Sequence, residues 1–376
     1  MRKKNYRKDG IAMAGSSFGN IFRITTWGES HGAGIGVVVD GCPAGLPLCE
    51  ADIQNYLDRR KPGQSRFSTP RKEDDRAEIL SGIFEGRTTG TPISILIRNE
   101  TQRSRDYSEI ASYYRPGHAD YTYDCKDGFR DYRGGGRSSG RETIGRVAGG
   151  AVAAKMLGEI GVKFTTYTQS IGPVTARRFD AGEIFRNPLY MPDSEAAEQA
   201  RDYLNRCMKE LDSGGGVIEC IVEHLPAGLG DPVFEKLSAC LAKAVCSVGA
   251  VKGFEIGDGF AAATARGSEN NDPFRIDDRG RIRKASNHSG GVLGGISDGS
   301  PLIFRAAVKP TPSIFSPQQT VNNSGEEITC QIKGRHDPVI VPRAVVVIES
   351  MAALVIADAL LGGMAATMDH VKKVWG

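Results

Sequence analysis

Among the eight cysteines of this 376-residue chain there is no Cys-x-x-Cys pair and no Cys/His metal spacing. That absence argues against zinc and against a disulfide framework. The thiols, Cys220, Cys240 and Cys246 among them, are expected to be reduced and packed in apolar surroundings. A dominant charge is missing too: 48 Lys plus Arg against 45 Asp plus Glu leave +3, and the pI near 8.3 lies below that of a nucleic-acid domain. No run reads as the ~20 apolar residues that span a bilayer, and MRKKNYRKDG is followed by a short mixed segment rather than a signal-peptide core. These absences point to a cytoplasmic protein with no membrane and no nucleic-acid partner, so any basic site must be local. No repeat and no low-complexity linker divides the chain. Residues 1–12 read as a disordered basic extension and 13–376 as a single domain.

What is present is a mixture of strand and helix signals. IFRITTWGESHGAGIGVVVDG predicts two strands around a glycine-rich connection, and ADIQNYLDRR predicts a helix from about Glu50, ended by Pro62 and Gly63. PISILIRN, VKFTTYTQSIG and GVIECIVEHLP read as strands. EAAEQARDYLNRCMKELDSGG reads as an amphipathic helix, and DPVFEKLSACLAKAVCSVGAVKGFEIGDGF as a helix followed by a strand. Residues 61–76 and 100–141 are loop-rich, and 266–290 are polar enough for an exposed flap. The chain ends on a long apolar helix after HDPVIVP. Together these signals predict one compact α+β unit.

The stretch GGGRSSGRET, residues 134–143, crowds backbone amides, hydroxyls and guanidinium groups into one loop suited to an anion. Gly135, Gly140 and Arg141 nearly fit the P-loop G-x-x-x-x-G-K-[ST]. Arg141 stands in the lysine's place, however, and Glu142 where a magnesium-binding hydroxyl belongs. Ser139 and Glu142 predict a capping box, so the small-residue helix after them starts inside the loop. From Arg59 to Lys72 six basic residues occur with no acid; with Arg133, Arg137, Arg141, Arg335 and Arg343 they form an inventory of planar forks for carboxylate or phosphate. His31 in GESHG and His118 in RPGHAD sit in glycine-flanked loops where a proton donor could face a substrate. His31 and Ser30, adjacent in sequence, point apart and make no hydrolase triad. RHD, residues 335–337, sets an arginine near Asp337. From these residues alone an enzyme acting on a small polyanion by proton transfer is the best reading. A P-loop-like kinase and a nucleic-acid module are the alternatives.

GESHGAGIGVVVDG, LDRRKPGQSR, RPGHADYTY, RDYRGGGRSSGRET, VKGFEIGDGF, KPTPS and GRHDPVIVPRAV, in that order from about Met13 to Leu361, resemble the chorismate synthase family. The resemblance implies loss of phosphate and a ring proton from 5-enolpyruvylshikimate 3-phosphate by 1,4-anti elimination, with reduced FMN although there is no net redox change. It implies a β-α-β sandwich with helices enclosed between antiparallel sheets, assembled as a homotetramer. By matching strings, Arg137, Ser138, Ser139, Gly249, Ala250, Gly294, Lys309, Pro310, Thr311, Pro312, Ser313 and Arg335 would hold FMN. Ser30, Arg60, Arg66 and Arg141 would bind substrate, although Arg60 and Arg66 match positions the family also assigns to NADPH. His31 would protonate the departing phosphate and His118 the reduced flavin, while Asp337 would assist removal of the ring proton by way of the cofactor. No metal is implied. With no reductase domain recognisable, an external flavin reductase is expected to supply electrons. Gly140 and Gly249 stand where the family most often has alanine and asparagine.

Overall fold

The structure is a computed structural model that describes residues 15–69, 73–100, 109–332 and 337–376. The basic extension 1–12 and Arg335 fall outside them. Two five-stranded sheets dominate, every strand pair in them antiparallel. The first runs in the order Ser17–Phe18, Arg23–Gly28, Gly34–Asp40, Ile93–Arg98, Ala77–Ile79. The second runs Val251–Ile256, Leu302–Val308, Gly216–Glu223, Lys163–Ile171, Val174–Thr175.

Alternation along the strands decides which face of each sheet turns inward. Ile93, Ile95 and Ile97 are fully buried, as are Ile218, Cys220 and Val222, while the residues between them are more open. Each isoleucine so buried contributes roughly 1.5–3 kcal/mol relative to exposure. Facing these rows is a layer of helices: α1 (Glu50–Arg60), α3 (Thr143–Gly158), α5 (Leu237–Cys246) and α7 (Val341–Gly362). Between α1 and α3 in the chain lies a short helix, α2 (Asp120–Asp127), and α4 (Ser194–Lys209) lies beside the edge strand Val174–Thr175. α1 and α3 pack on the first sheet, α5 and α7 on the second, and α3 against α7 joins the two halves. A Cβ on Gly150 of α3 would fall 2.3 Å from Ser350 Cβ of α7. Glycine there is what lets two enclosed helices touch along their backbones. The expected sandwich is therefore the observed one.

Several local expectations need correcting. The 22-residue α7 is apolar and long enough to cross a bilayer, contrary to the expectation that no such run exists, but most of it is buried between the sheets. No capping box forms at the 134–143 loop. Ser139 Oγ instead accepts from Arg141 N at 3.3 Å to close a single turn of 3-10 helix, and the Glu142 carboxylate accepts from Thr26 and Arg146. The helix before VKGFEIG is short, and it leaves Cys246 exposed rather than packed. α2 lies inside a stretch expected to be loop. The 266–290 flap contains a single helical turn, α6 (Gly267–Asn270), and an exposed hairpin, Phe274–Ile276 with Ile282–Lys284, but the Lys284 side chain at its base is buried against Asp272 and Asp298.

Candidate active site

Three successive glycines begin the site. Gly134, Gly135 and Gly136 take φ of +69°, +87° and +53°, a region that other residues enter only at a cost. The tight turn they make is lined by side chains from two other loops: a Cβ on Gly134 would lie 2.8 Å from Ser30 Oγ and 3.1 Å from His31 Cε1, and one on Gly135 2.8 Å from His118 Cε1. Both candidate histidines thus meet the same turn, 87 residues apart in sequence as they are. Ser30 and His31 are buried, and His31 Nδ1 lies 3.3 Å from Arg133 O, which Ser30 Oγ also approaches at 3.4 Å. A carbonyl only accepts, so Nδ1 carries the hydrogen.

The same turn ends in Arg141, and there a second cluster is built. Arg141 donates through Nε to Asn99 Oδ1 at 3.0 Å, and Asn99 Nδ2 donates to Glu29 O and Gly32 O, so the arginine is tied to the loop that carries His31. Arg141 Nη1 sits 3.2 Å from Asp75 Oδ1 and 3.8 Å from Glu73 Oε1. Asp75 Oδ2 accepts from Arg60 Nη1 at 2.8 Å. Arg60 in turn is linked through its carbonyl to Arg343 Nε, and Arg343 Nη1 donates to Asp337 Oδ2 at 2.6 Å. Thr69 N holds the other Asp337 oxygen at 2.7 Å. Burial works against the charge of Arg60, which is 1% exposed, with Arg343 and Arg141 adding to it and Asp75 opposing. Glu73, Asp75 and Asp337 match the three guanidinium groups in number, but hydrogen bonding is incomplete: Arg60 Nη2 and Arg141 Nη2 are buried with no hydrogen-bond partner, and Arg141 Nη1 and Asp75 Oδ1 face each other only as an ion pair at 3.2 Å. Orphaned guanidinium donors are costly, and a bound anion is the ligand that would relieve them.

Of the remaining expected residues, Lys309–Ser313 comes to the histidine side. Lys309 Nζ donates to Gly117 O at 2.8 Å, and Pro312 packs on Gly117. Lys309 N donates to Ala250 O, so the Gly249–Ala250 loop adjoins the same segment, with Ala250 at φ +72°. Thr311 Oγ1 is buried without a partner, and space opens beside Gly249 and Gly294. This donor set, an ammonium, an unused hydroxyl and glycine backbone, fits a phosphate-bearing planar ligand such as FMN. Gly294 lies in the hairpin Val292–Leu293 with Ile296–Ser297, next to the start of α5. Arg137 is turned elsewhere: it donates to Gly28 O, Thr26 O and Thr26 Oγ1 and so fastens the turn to the first sheet. Ser138 Oγ donates within the turn to Gly135 O. Arg66 is exposed, stacked 4.8 Å over Phe67, and is not brought to the cluster. A cavity of about 250 Å³ lined by Arg59, Phe67, Phe185, Tyr190 and Arg343 borders the arginine cluster but not the histidines.

The sequence reading missed Glu73, Asp75 and Asn99, and it noted an acid and an arginine near His118 without giving Asp120 or Arg115 a role. Arg115 and Asp120 form a buried bidentate pair beside His118. The acids that follow the basic run directly, KEDD, were the available signal for the first two.

Known proteins similar to the chain agree with one another. The model of the chorismate synthase family matches residues 22–361. A chorismate synthase of Agathobacter rectalis is 69% identical over 361 residues, covering 96% of this chain and 98% of the relative. One from Lachnoclostridium phytofermentans is 67% identical, covering 96% and 100%. A crystal structure of chorismate synthase matches with a TM-score of 0.75 at 33% identity, over 95% of this chain and 96% of that one.

Proposed function

The chain belongs to the chorismate synthase family, and from that premise we propose how its residues divide the work of the reaction. The enzyme is a lyase of aromatic amino acid biosynthesis that converts 5-enolpyruvylshikimate 3-phosphate to chorismate, the last step of the shikimate pathway. Bonds to a phosphate and to a ring hydrogen must break while a substrate bearing a phosphate and two carboxylates is held still. The family needs reduced flavin. When bound, it supplies electron density to the allylic carbon–oxygen bond as that bond breaks.

Arg60 and Arg141 bind the substrate's phosphate and carboxylates through the donors left unused by Asp75 and Asn99. Their burial removes competing water, which strengthens each charged hydrogen bond. Ser30 lies beside His31, and His31 delivers a proton to the departing phosphate from the ring nitrogen not committed to Arg133 O. His118 holds a proton at Nε2 toward the Gly134–Gly136 turn. Asp337, fixed by Thr69 and Arg343, is the carboxylate placed to assist departure of the ring proton. Lys309, Pro310, Thr311, Pro312 and Ser313, with the backbone at Gly249, Ala250 and Gly294, would hold the flavin. Ser138 and Ser139 present the turn to it, and Arg137 braces that turn. Arg335 completes the assignment by family match, and Arg66, exposed on Phe67 and away from the cluster, is given no part in substrate binding. A homotetramer in the cytoplasm, supplied with electrons by a separate flavin reductase, is the assembly this reading favours.

The observation that carries the site assignment is that two histidines meet the glycine end of the turn, residues 134–141, while Arg141 at its other end shares Asp75 with Arg60 and both keep a buried Nη2 without a hydrogen-bond partner. The test is anaerobic turnover with chemically reduced FMN, following chorismate absorbance and released phosphate together. Equal yields of both with reduced FMN, and neither with oxidised FMN, are expected. Phosphate released without chorismate would overturn the assignment of these residues to the elimination.

A further inference from the structure

Asp120 has no part in the roles just given, although it is 3% exposed and opens α2 directly against His118. It takes three donors from one residue: Arg115 Nε at 2.8 Å and Arg115 N at 3.0 Å on Oδ2, and Arg115 Nη2 at 2.7 Å on Oδ1. The resulting fork is planar and buried. His118 Nδ1 lies against its inner edge, 3.0 Å from Arg115 Nη2 and 3.2 Å from Asp120 Oδ1. We infer that Asp120, clamped by Arg115, is a positioning residue that gives His118 Nδ1 a hydrogen-bond partner in both protonation states, so that the ring can gain and lose a proton at Nε2 without moving. This rests on His118 acting as a proton donor.

The geometry accounts for each state. In the neutral ring left when Nε2 gives up its proton, the hydrogen stays on Nδ1 and is donated to Asp120 Oδ1. In the imidazolium, Nδ1–H donates to Asp120 Oδ1, and Nη2 retains its own bond to that oxygen. The carboxylate then stands between two cations. Without it the imidazolium would face the guanidinium at close range, and the charged form would be disfavoured. Lys309, whose ammonium donates to Gly117 O, adds a further positive charge from the far side of the loop. From the glycine turn, Arg137 is turned to Thr26 and Asp131 is paired with Arg133, so neither replaces Asp120.

Asp120→Asn with saturating substrate and reduced FMN is the test. The expected result is a loss of about tenfold or more in kcat at neutral pH. With it, the alkaline limb of the kcat profile moves to lower pH. Substrate KM and FMN affinity stay near wild type. A uniform loss with the limb unmoved would mean that Asp120 only supports the loop, and the inference would be overturned. If the variant does not fold, the imidazole nitrogens of His118 in the wild-type protein decide by NMR: the Nδ1–H tautomer of the neutral ring supports the inference, and the Nε2–H tautomer sinks it. His118→Gln separates the premise from the inference. Unchanged turnover there removes the donor role itself, whereas an inactive His118→Gln beside an Asp120→Asn with the wild-type limb removes Asp120 alone.

Discussion

Two buried arginine–aspartate pairs meet the Gly134–Arg141 turn, one near each end, and they are completed in different ways. At the glycine end, Arg115 and Asp120 satisfy each other in a bidentate fork and lend their edge to His118. At the Arg141 end, Asp75 is shared between Arg60 and Arg141 and does not serve all their donors, so Nη2 of each is left over. The first arrangement orients a neighbour. The second leaves buried hydrogen-bond donors unspent, which a bound anion would use.

Lysine substitutions break this comparison most strongly. Arg141→Lys keeps the charge beside Asp75 and Glu73 but removes the fork. The loss should appear chiefly as a raised substrate KM, by about tenfold to a hundredfold if one to two charge-assisted hydrogen bonds are forfeited. Arg115→Lys should leave KM near wild type and lower kcat, because what it disturbs is the seat of His118. Steady-state kinetics on both variants with chemically reduced FMN measures the split. A kcat effect in Arg141→Lys with KM unmoved would erase the distinction between the two centres.

A smaller effect sharpens the comparison through stability. Hydrogen bonds and charge from Arg115 and His118 hold the Asp120 carboxyl well below its usual range, although burial works strongly in the other direction. A depressed folded-state value means the pair stabilises the fold above the unfolded value of about 3.9 and loses that contribution as pH falls below it. The gap in melting temperature between wild type and Asp120→Asn should therefore be widest above pH 5 and shrink toward pH 3. A gap independent of pH would show that shape, not the charge of the carboxylate, accounts for the stability.

The two centres also differ in how far the sequence announced them. Alternation in PISILIRN and GVIECIVEHLP, and the dense small residues after RET, specified the buried faces and the enclosed helix, because burial selects side chains at the period of the element. His31, His118, Arg60, Arg141 and Asp337 could be named because they lie in short strings that resemble one family. Their partners were harder to see. Asp75 and Glu73 follow a basic run and look like ordinary solvated acids, yet folding turns them inward onto Arg60 and Arg141. Asp120 begins a polar helix that no apolar period marks, and Arg137 looks like a ligand residue until its donors are found on Thr26 and Gly28. Residue type shows what chemistry is available. Which donors remain unspent is a property of three-dimensional pairing.

Gly249 offers the mildest test, at a place neither centre touches. It has ordinary backbone φ, unlike Ala250 beside it, and a Cβ built there meets nothing within 4 Å. Glycine is thus not required by the fold at this position. An alanine costs no contact and removes freedom from the unfolded chain, so Gly249→Ala should stabilise by about 0.4–1 kcal/mol in denaturant unfolding. Because the loop meets Lys309 through the backbone at Ala250, the same substitution should leave substrate KM unchanged and FMN affinity within about twofold, a difference of some 0.4 kcal/mol. A marked loss of FMN affinity with the fold stabilised would mean that the flavin needs the empty space beside Gly249. The glycine would then belong to the cofactor's seat and not to a tolerant rim.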